Sequence, residues 1–214
     1  MSAPARQGID EAVHWLVNGA PGAQRPEHIV EQLCARLVGA GLPLRRVGVF
    51  VRTLHPTILG MTYIWRRGEP MTVSTAPRSI IDDPDYGNSP LKPAFEEGRG
   101  VRRRLADPSC PRDFPILAEF DVEGVTDYVV SPLRFLSGKH HVVTWATKAA
   151  GGFSDADIAA IDALVPPMAR LAEIYTLGRT ATNLLNVYVG HDAGERILNG
   201  QIGRGETTTL EAAI

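Results

Sequence analysis

The side chains able to do chemistry fall into a few small groups. His140-His141 offers imidazole nitrogens to haem or a metal ion, but no second ligand stands at a diagnostic spacing from the pair. The alternative is a histidine at a strand edge or turn, with His141 sharing a strand face with Trp145 by parity. Cys110, between Pro108 and Pro111, could carry a bilin or act as a redox thiol, yet flanking prolines more often mark an exposed turn and Arg112 is its one close cation. Cys34 lies on an apolar helical face, where a reduced, buried thiol is expected. Neither cysteine has metal or disulfide spacing.

Arginine and aromatic residues form two further groups. Arg102-Arg103-Arg104, with Arg99 nearby, could hold a carboxylate or phosphate, although such runs are usually solvated faces. On a strand the triplet alternates, and Arg103 is the arginine expected to point inward. Tyr63, Trp65, Tyr128 and Trp145 fall on strand-like stretches, and Phe95, Phe114 and Phe120 fall in an irregular region between them. A concave apolar pocket between the two groups would suit a small ligand; large apolar residues are otherwise core by default.

Composition narrows the classes these groups could serve. The chain has 214 residues, 44% hydrophobic and 21% charged, with 16 prolines and 21 glycines, which fits one globular domain of roughly 150 residues plus additional helix. A net charge of −2 provides no field for nucleic acid or anionic lipid. No apolar run approaches the ~18–20 residues of a membrane span, and the N-terminus lacks a signal peptide's apolar region. A cytoplasmic location with no metal and no required cofactor is expected.

The elements that must position these groups are legible from periodicity. Ile9, Val13, Leu16 and Val17 follow one helical face, and Gly19 to Ala23 end that helix. Pro26 then opens a second helix with the stripe Ile29, Leu33 and Leu37. Val47, Val49 and Val51 alternate as a strand does; His55-Pro56 turns the chain into a strand at 58–66, and Arg67 to Pro70 turn it into a third at 71–74. Residues 77–123 have little periodicity, with short helices expected at 91–97 and 114–120 and a basic strand at 101–105. Such an excursion inside a domain tends to be a binding segment or lid. Strands at 127–136 and 140–147 form a hairpin around Ser137-Gly138-Lys139.

After Gly151-Gly152, Ser154 fits a helix N-cap, Asp157 fits N3 of a capping box, and Phe153 can staple onto Ile158. The apolar positions Ile158, Ile161, Val165, Met168, Ala172 and Tyr175 form a heptad seam. It changes phase near 175, where Ile174, Leu177, Ala181, Leu184 and Tyr188 take over. Pro166-Pro167 is expected to kink the first part. A helix that outruns its domain has nothing of its own to cover the stripe, so a parallel homodimer through Met168, Tyr175, Leu177, Ala181, Leu184 and Tyr188 is expected, with intramolecular packing as the alternative.

The order helix, meander, irregular cassette, hairpin, then Gly-Gly-Phe-Ser-Asp-Ala-Asp opening a long helix resembles a GAF domain over residues 25–175. The tail Asn186-Val-Tyr-Val-Gly-His-Asp-Ala-Gly-Glu-Arg-Ile-Leu-Asn-Gly-Gln-Ile-Gly-Arg-Gly205 resembles the segment preceding the catalytic domain of bacterial class III adenylate/guanylate cyclases. In that family a strand and a metal-binding aspartate follow, and Thr207 to Ile214 would enter the strand. The metal-ligating aspartates, base-recognising residues and transition-state Asn/Arg pair of that family are absent, so the chain itself is expected to be inert.

The resemblance implies an α+β fold: an antiparallel sheet of five or six strands with flanking helices and a long C-terminal signalling helix. Its parts would be an N-terminal helix and linker (1–24), a GAF-like sensory domain (25–175), a signalling helix and connector (176–205) and the start of a catalytic domain (206–214). Pocket candidates are Tyr63, Trp65, Phe95, Arg103, Phe114, Tyr128, His141 and Trp145, and the partners implied are a second copy, a cyclase domain and a small molecule. The alternatives are a stand-alone enzyme of the sulfoxide-reductase kind, which would need reactive cysteines, and a purely structural dimerisation module. The glycine-rich stretch 190–205 is expected to be the least ordered part.

Overall fold

A computed structural model describes residues 3–53, 58–198 and 200–201. The turn expected at His55-Pro56 and the strand expected at 207–214 lie outside those residues. The chain divides into two units, the first ending at Glu173 and the second beginning at Ile174.

In the first unit, helices α1 (Ala3–Val17) and α2 (Pro26–Gly39) pack on each other. Pro26 occupies the first turn of α2, where its missing N–H costs nothing because that N–H has no intrahelical acceptor. The α2 stripe Ile29, Val30, Leu33, Cys34 and Leu37 is buried, and the Arg36 guanidinium lies 4.6 Å from the centre of the Trp15 ring.

The sheet is antiparallel, in the order β3-β2-β1-β6-β5-β4, with β1 Arg46–Arg52, β2 Ile58–Arg66, β3 Thr72–Pro77, β4 Val101–Arg103, β5 Asp127–Arg134 and β6 His140–Thr147. Its register aligns Val47 with both Trp65 and Trp145, and Trp145 with Val129. Because side chains alternate along each strand, that row defines one face, which also carries Tyr63, Val49, His141 and Arg102. The opposite face carries Arg46, Gly48, Phe50, Ile64, Tyr128, Thr144, Ala146 and Arg103. β1 and β6 are the central strands of the sheet.

Residues 78–123 fold into a cassette rather than an irregular loop. A 3₁₀ turn at Arg78–Asp82 leads to α3 (Pro84–Gly87), α4 (Leu91–Glu96), β4 and α5 (Ile116–Glu123). Asp83 caps α3 through Asp85 N–H at 2.8 Å. Ala94, Leu117 and Phe120 from the cassette form one core with Val101, Tyr128, Val130, Val142 and Ala146 of the sheet.

The long helix α6 runs from Asp155 to Val189. Its start is a reciprocal capping box: the Asp157 N–H meets Ser154 Oγ at 3.2 Å, and the Asp157 carboxylate accepts from the Ser154 N–H at 2.9 Å and hydroxyl at 2.7 Å. Ile161, Leu164, Met168 and Leu171 bury the helix within the first unit, so Met168 belongs to the domain core. Pro166 and Pro167 stand inside an uninterrupted helix and deprive the carbonyls of Asp162 and Ala163 of their usual N–H partners.

The second unit holds the rest of α6 and helix α7 (His191–Leu198). Ile174, Leu177, Leu184, Val187 and Tyr188 are exposed on α6 within this unit. Gly190, at φ +84°, separates the two helices, so part of the stretch read as a glycine-punctuated connector is helical.

Candidate functional site

The register separates the candidate pocket residues into two groups. Tyr63, Trp65, His141 and Trp145 lie on the face that carries Val47, and all four are buried. Tyr128 and Arg103 lie on the opposite face, which the cassette covers, together with Phe95 and Phe114. The sheet thus stands between the two sets, and no single pocket on one face holds them all.

His141 occupies a central strand, 2% exposed, and not an edge or turn. Its Nδ1 accepts the Arg52 backbone N–H at 2.9 Å, and its ring stacks on Phe135 with centroids 3.9 Å apart. Burial, followed by the Arg52 charge, lowers its pKa to about 4. The ring is held neutral by its surroundings at ordinary pH. No group of three or more His, Cys, Asp or Glu side chains among the described residues is arranged to hold a metal ion.

On the cassette face the sequence's arginines acquire distinct roles. Arg103, expected to point inward, is paired with Asp113 at 2.9 and 2.5 Å, and its guanidinium lies 5.1 Å from the Phe114 ring centre. That ion pair raises its already high pKa. Arg102, its neighbour, turns instead to the fully buried Asp127. β4 has only three residues, too few to show a pattern, so its register with β5 decides which arginine faces Asp127.

Arg46 and Arg52 were not among the sequence candidates, yet both lie on the cassette face at the two ends of β1. The Arg46 guanidinium lies 5.2 Å from the Phe120 ring centre, and that of Arg52 lies 4.3 Å from Phe95 and donates to the Tyr86 hydroxyl. Each has a buried Nε without a hydrogen-bond partner among the described residues. Burial, then Arg66, lowers the pKa of Arg46. Tyr128, at the Arg46 end of this face, packs on Phe120 at 4.8 Å and bonds with Thr144, and burial raises its pKa. Alternation would have revealed both arginines, since they have the parity opposite to Val47, Val49 and Val51.

This arrangement suits binding. Guanidinium donors under aromatic rings, with tyrosine hydroxyls beside them, can hold a polar or anionic group against an apolar wall. Cys34 is fully buried and burial raises its pKa well above the usual thiol value, which suppresses the thiolate. Cys110 is half-buried at the cassette, its thiol 3.7 Å from the Pro111 carbonyl.

No family model and no curated protein matches the sequence. Solved structures do. The GAF domain of a two-component sensor histidine kinase from Bacillus halodurans is 16% identical, with a TM-score of 0.52 over 72% of this chain and 98% of its own. The GAF domain of a phosphoenolpyruvate-protein phosphotransferase from Coxiella burnetii is 15% identical, with a TM-score of 0.53 over 83% and 97%. A phycoerythrobilin-bound GAF domain from a cyanobacterial phytochrome is 13% identical, with a TM-score of 0.54 over 81% and 99%. Identities this low speak to the fold alone, and the fold is that of a GAF domain: a six-stranded antiparallel sheet with flanking helices and a long C-terminal helix.

Proposed function

We propose that this chain is a sensory, regulatory domain that dimerises through its C-terminal helix and thereby controls an adenylate/guanylate cyclase domain of the class III kind. The observation that carries the reading is the exposure of Ile174, Leu177, Leu184 and Tyr188 at 66%, 70%, 53% and 82%. With half-buried Ala181 they step by three and four residues, the repeat of a coiled-coil seam. Pairing with a second copy removes this stripe from water. The cyclase assignment rests on the resemblance of 186–205 to the segment that precedes such catalytic domains. A location in the cytoplasm is part of the same reading.

The sensory input we assign to the cassette face, where Arg46, Arg52, Tyr86, Phe95 and Tyr128 would meet a small polar or anionic molecule. The phycoerythrobilin-bound GAF domain from a cyanobacterial phytochrome, which has this fold, holds a small molecule. Ligand-dependent repacking would then be passed to α6, whose two unpaired carbonyls at 162 and 163 make it easier to bend there.

Sedimentation equilibrium on the whole chain tests the dimer. A mass of two chains is expected, and Leu184→Asp together with Leu177→Asp should return one. A monomer at high concentration, or an undisturbed dimer in the double variant, refutes the seam. Joining the chain to a class III catalytic domain and measuring cyclic nucleotide formation tests the control: the same variant should lower that activity at least tenfold.

A further inference from the structure

The end of β5 is bonded to both sides of the sheet at once, wholly within the first unit. Arg134 has the strand parity of Tyr128 and Val130, so its side chain stands on the cassette face, where Nη2 donates to the Gly98 carbonyl at 2.6 Å. Its own backbone carbonyl accepts from Arg170 of α6, the helix that lies beside Val129 and Ser131 of the opposite face. The same helix holds the chain that follows. Glu173 accepts the Leu136 N–H at 2.9 Å and the Ser137 N–H at 3.3 Å, and pairs with Arg170 at 2.6 Å. One short stretch, 134–137, therefore joins the cassette to the helix.

On the cassette side the fit is close. Gly98, buried and at φ +62°, lies in the turn after α4; a Cβ there would come within 2.7 Å of His140 Nε2 and 3.0 Å of Arg134 Nη1. The turn is thus seated on the cross-strand pair Arg134 and His140. Three residues earlier, Phe95 of α4 carries the Arg52 guanidinium at 4.3 Å, so a displacement of α4 at the sensory face also moves the Gly98 carbonyl. On the helix side α6 has a second fastening at its start, where the Phe153 N–H donates to Asp127 at 3.0 Å. Pro166 and Pro167 stand between the two fastenings. A helix held at both ends bends where its hydrogen bonds are missing, so a shift of 134–137 acts on the part of α6 that follows the prolines.

We propose that the end of β5 is a coupling element: Arg134 ties the turn after α4 to the Arg170–Glu173 end of α6, so that the two loosen or tighten together. The regulatory meaning of this coupling rests on the sensory reading of the cassette face, and it specifies where a signal from that face crosses the sheet. Arg134 and Gly98 are positioning residues in this scheme. Coupling between two sites is reciprocal, so loosening the helix side must also loosen the turn.

Residue-resolved hydrogen exchange on the whole chain tests the coupling without ligand or catalytic domain, so its outcome is separate from that of the sensory reading. Gly98→Ala, whose methyl group displaces the guanidinium from the turn, should speed exchange of the Leu136 and Ser137 N–H groups at least tenfold more than that of Ile158 and Ile161, near the other fastening. In the reverse direction, Glu173→Ala should speed the Glu97 and Arg99 N–H groups, both bonded to the Pro93 carbonyl, at least tenfold more than the same two isoleucines. Gly124→Ala is the comparison. Gly124 has φ +74° and nothing within 4 Å of its Cβ position, so the variant carries similar backbone strain without the link and should show no selective effect at Leu136 and Ser137. If circular dichroism finds Gly98→Ala misfolded, Arg134→Met, which keeps the stem and loses the donors, takes its place with the same expected effect. Acceleration confined to the mutated side, or an equal selective rise in Gly124→Ala, overturns the proposal.

Discussion

Arg102 and Asp127 form an ion pair that joins the edge strand β4 to the start of α6. Arg102 Nη2 lies 2.7 Å from Asp127 Oδ2, and its Nε lies 3.3 Å from each carboxylate oxygen. Asp127 is 0% exposed and also accepts the Phe153 N–H at 3.0 Å, so one buried carboxylate ties the cassette, the sheet and the long helix together.

Removing the cation should be costly because it strands the charge. Arg102→Ala leaves Asp127 buried without its guanidinium and should lower the unfolding free energy by about 3 kcal/mol. Adding Asp127→Asn removes the stranded charge while keeping an oxygen for the Phe153 N–H, so the double variant should be more stable than Arg102→Ala alone. Urea denaturation of the three proteins measures the difference; a double variant less stable than Arg102→Ala would contradict the account.

The glycine that precedes Phe153 is held to its type by the same carboxylate. Gly152 has φ +74°, and a Cβ there would come within 2.8 Å of Asp127 Oδ2. Gly152→Ala therefore combines backbone strain with a collision and should destabilise by about 2 kcal/mol or more. Gly151, whose Cβ would meet nothing within 4 Å, serves as the comparison. Gly151→Ala should shift the thermal midpoint much less, and equal shifts would remove the special role of residue 152.

His141 gives the fold a predictable dependence on acid. Its pKa is about 4 in the folded chain against an ordinary 6.5, so the unfolded chain binds the proton more readily. The stabilisation is complete above pH 6.5, falls as the pH drops from 6.5 towards 4, and has been lost below that. The loss is up to about 3 kcal/mol. Substituting His141→Phe should flatten this part of the stability profile relative to the parent, although it also removes the bond to the Arg52 N–H. Denaturation at pH 7, 5.5 and 4.5 gives the slope, and parallel profiles would mean that His141 is not its source.

Local patterns settled a large part of this architecture before any tertiary contact was known. The alternation of Val47, Val49 and Val51 marks β1, the spacing of Ile29, Leu33 and Leu37 marks α2, and Ser154 with Asp157 marks the start of α6, because each signal lies within one or two turns of chain. The exposed stripe from Ile174 to Tyr188 was equally readable, since heptad spacing requires no partner to be recognised. What the tertiary structure decided was facing. Whether Arg102 or Arg103 turns to Asp127 depends on the register of β4 with β5, strands more than twenty residues apart in sequence. A shift of one residue would exchange the two faces, and a three-residue strand has no periodicity to forbid it.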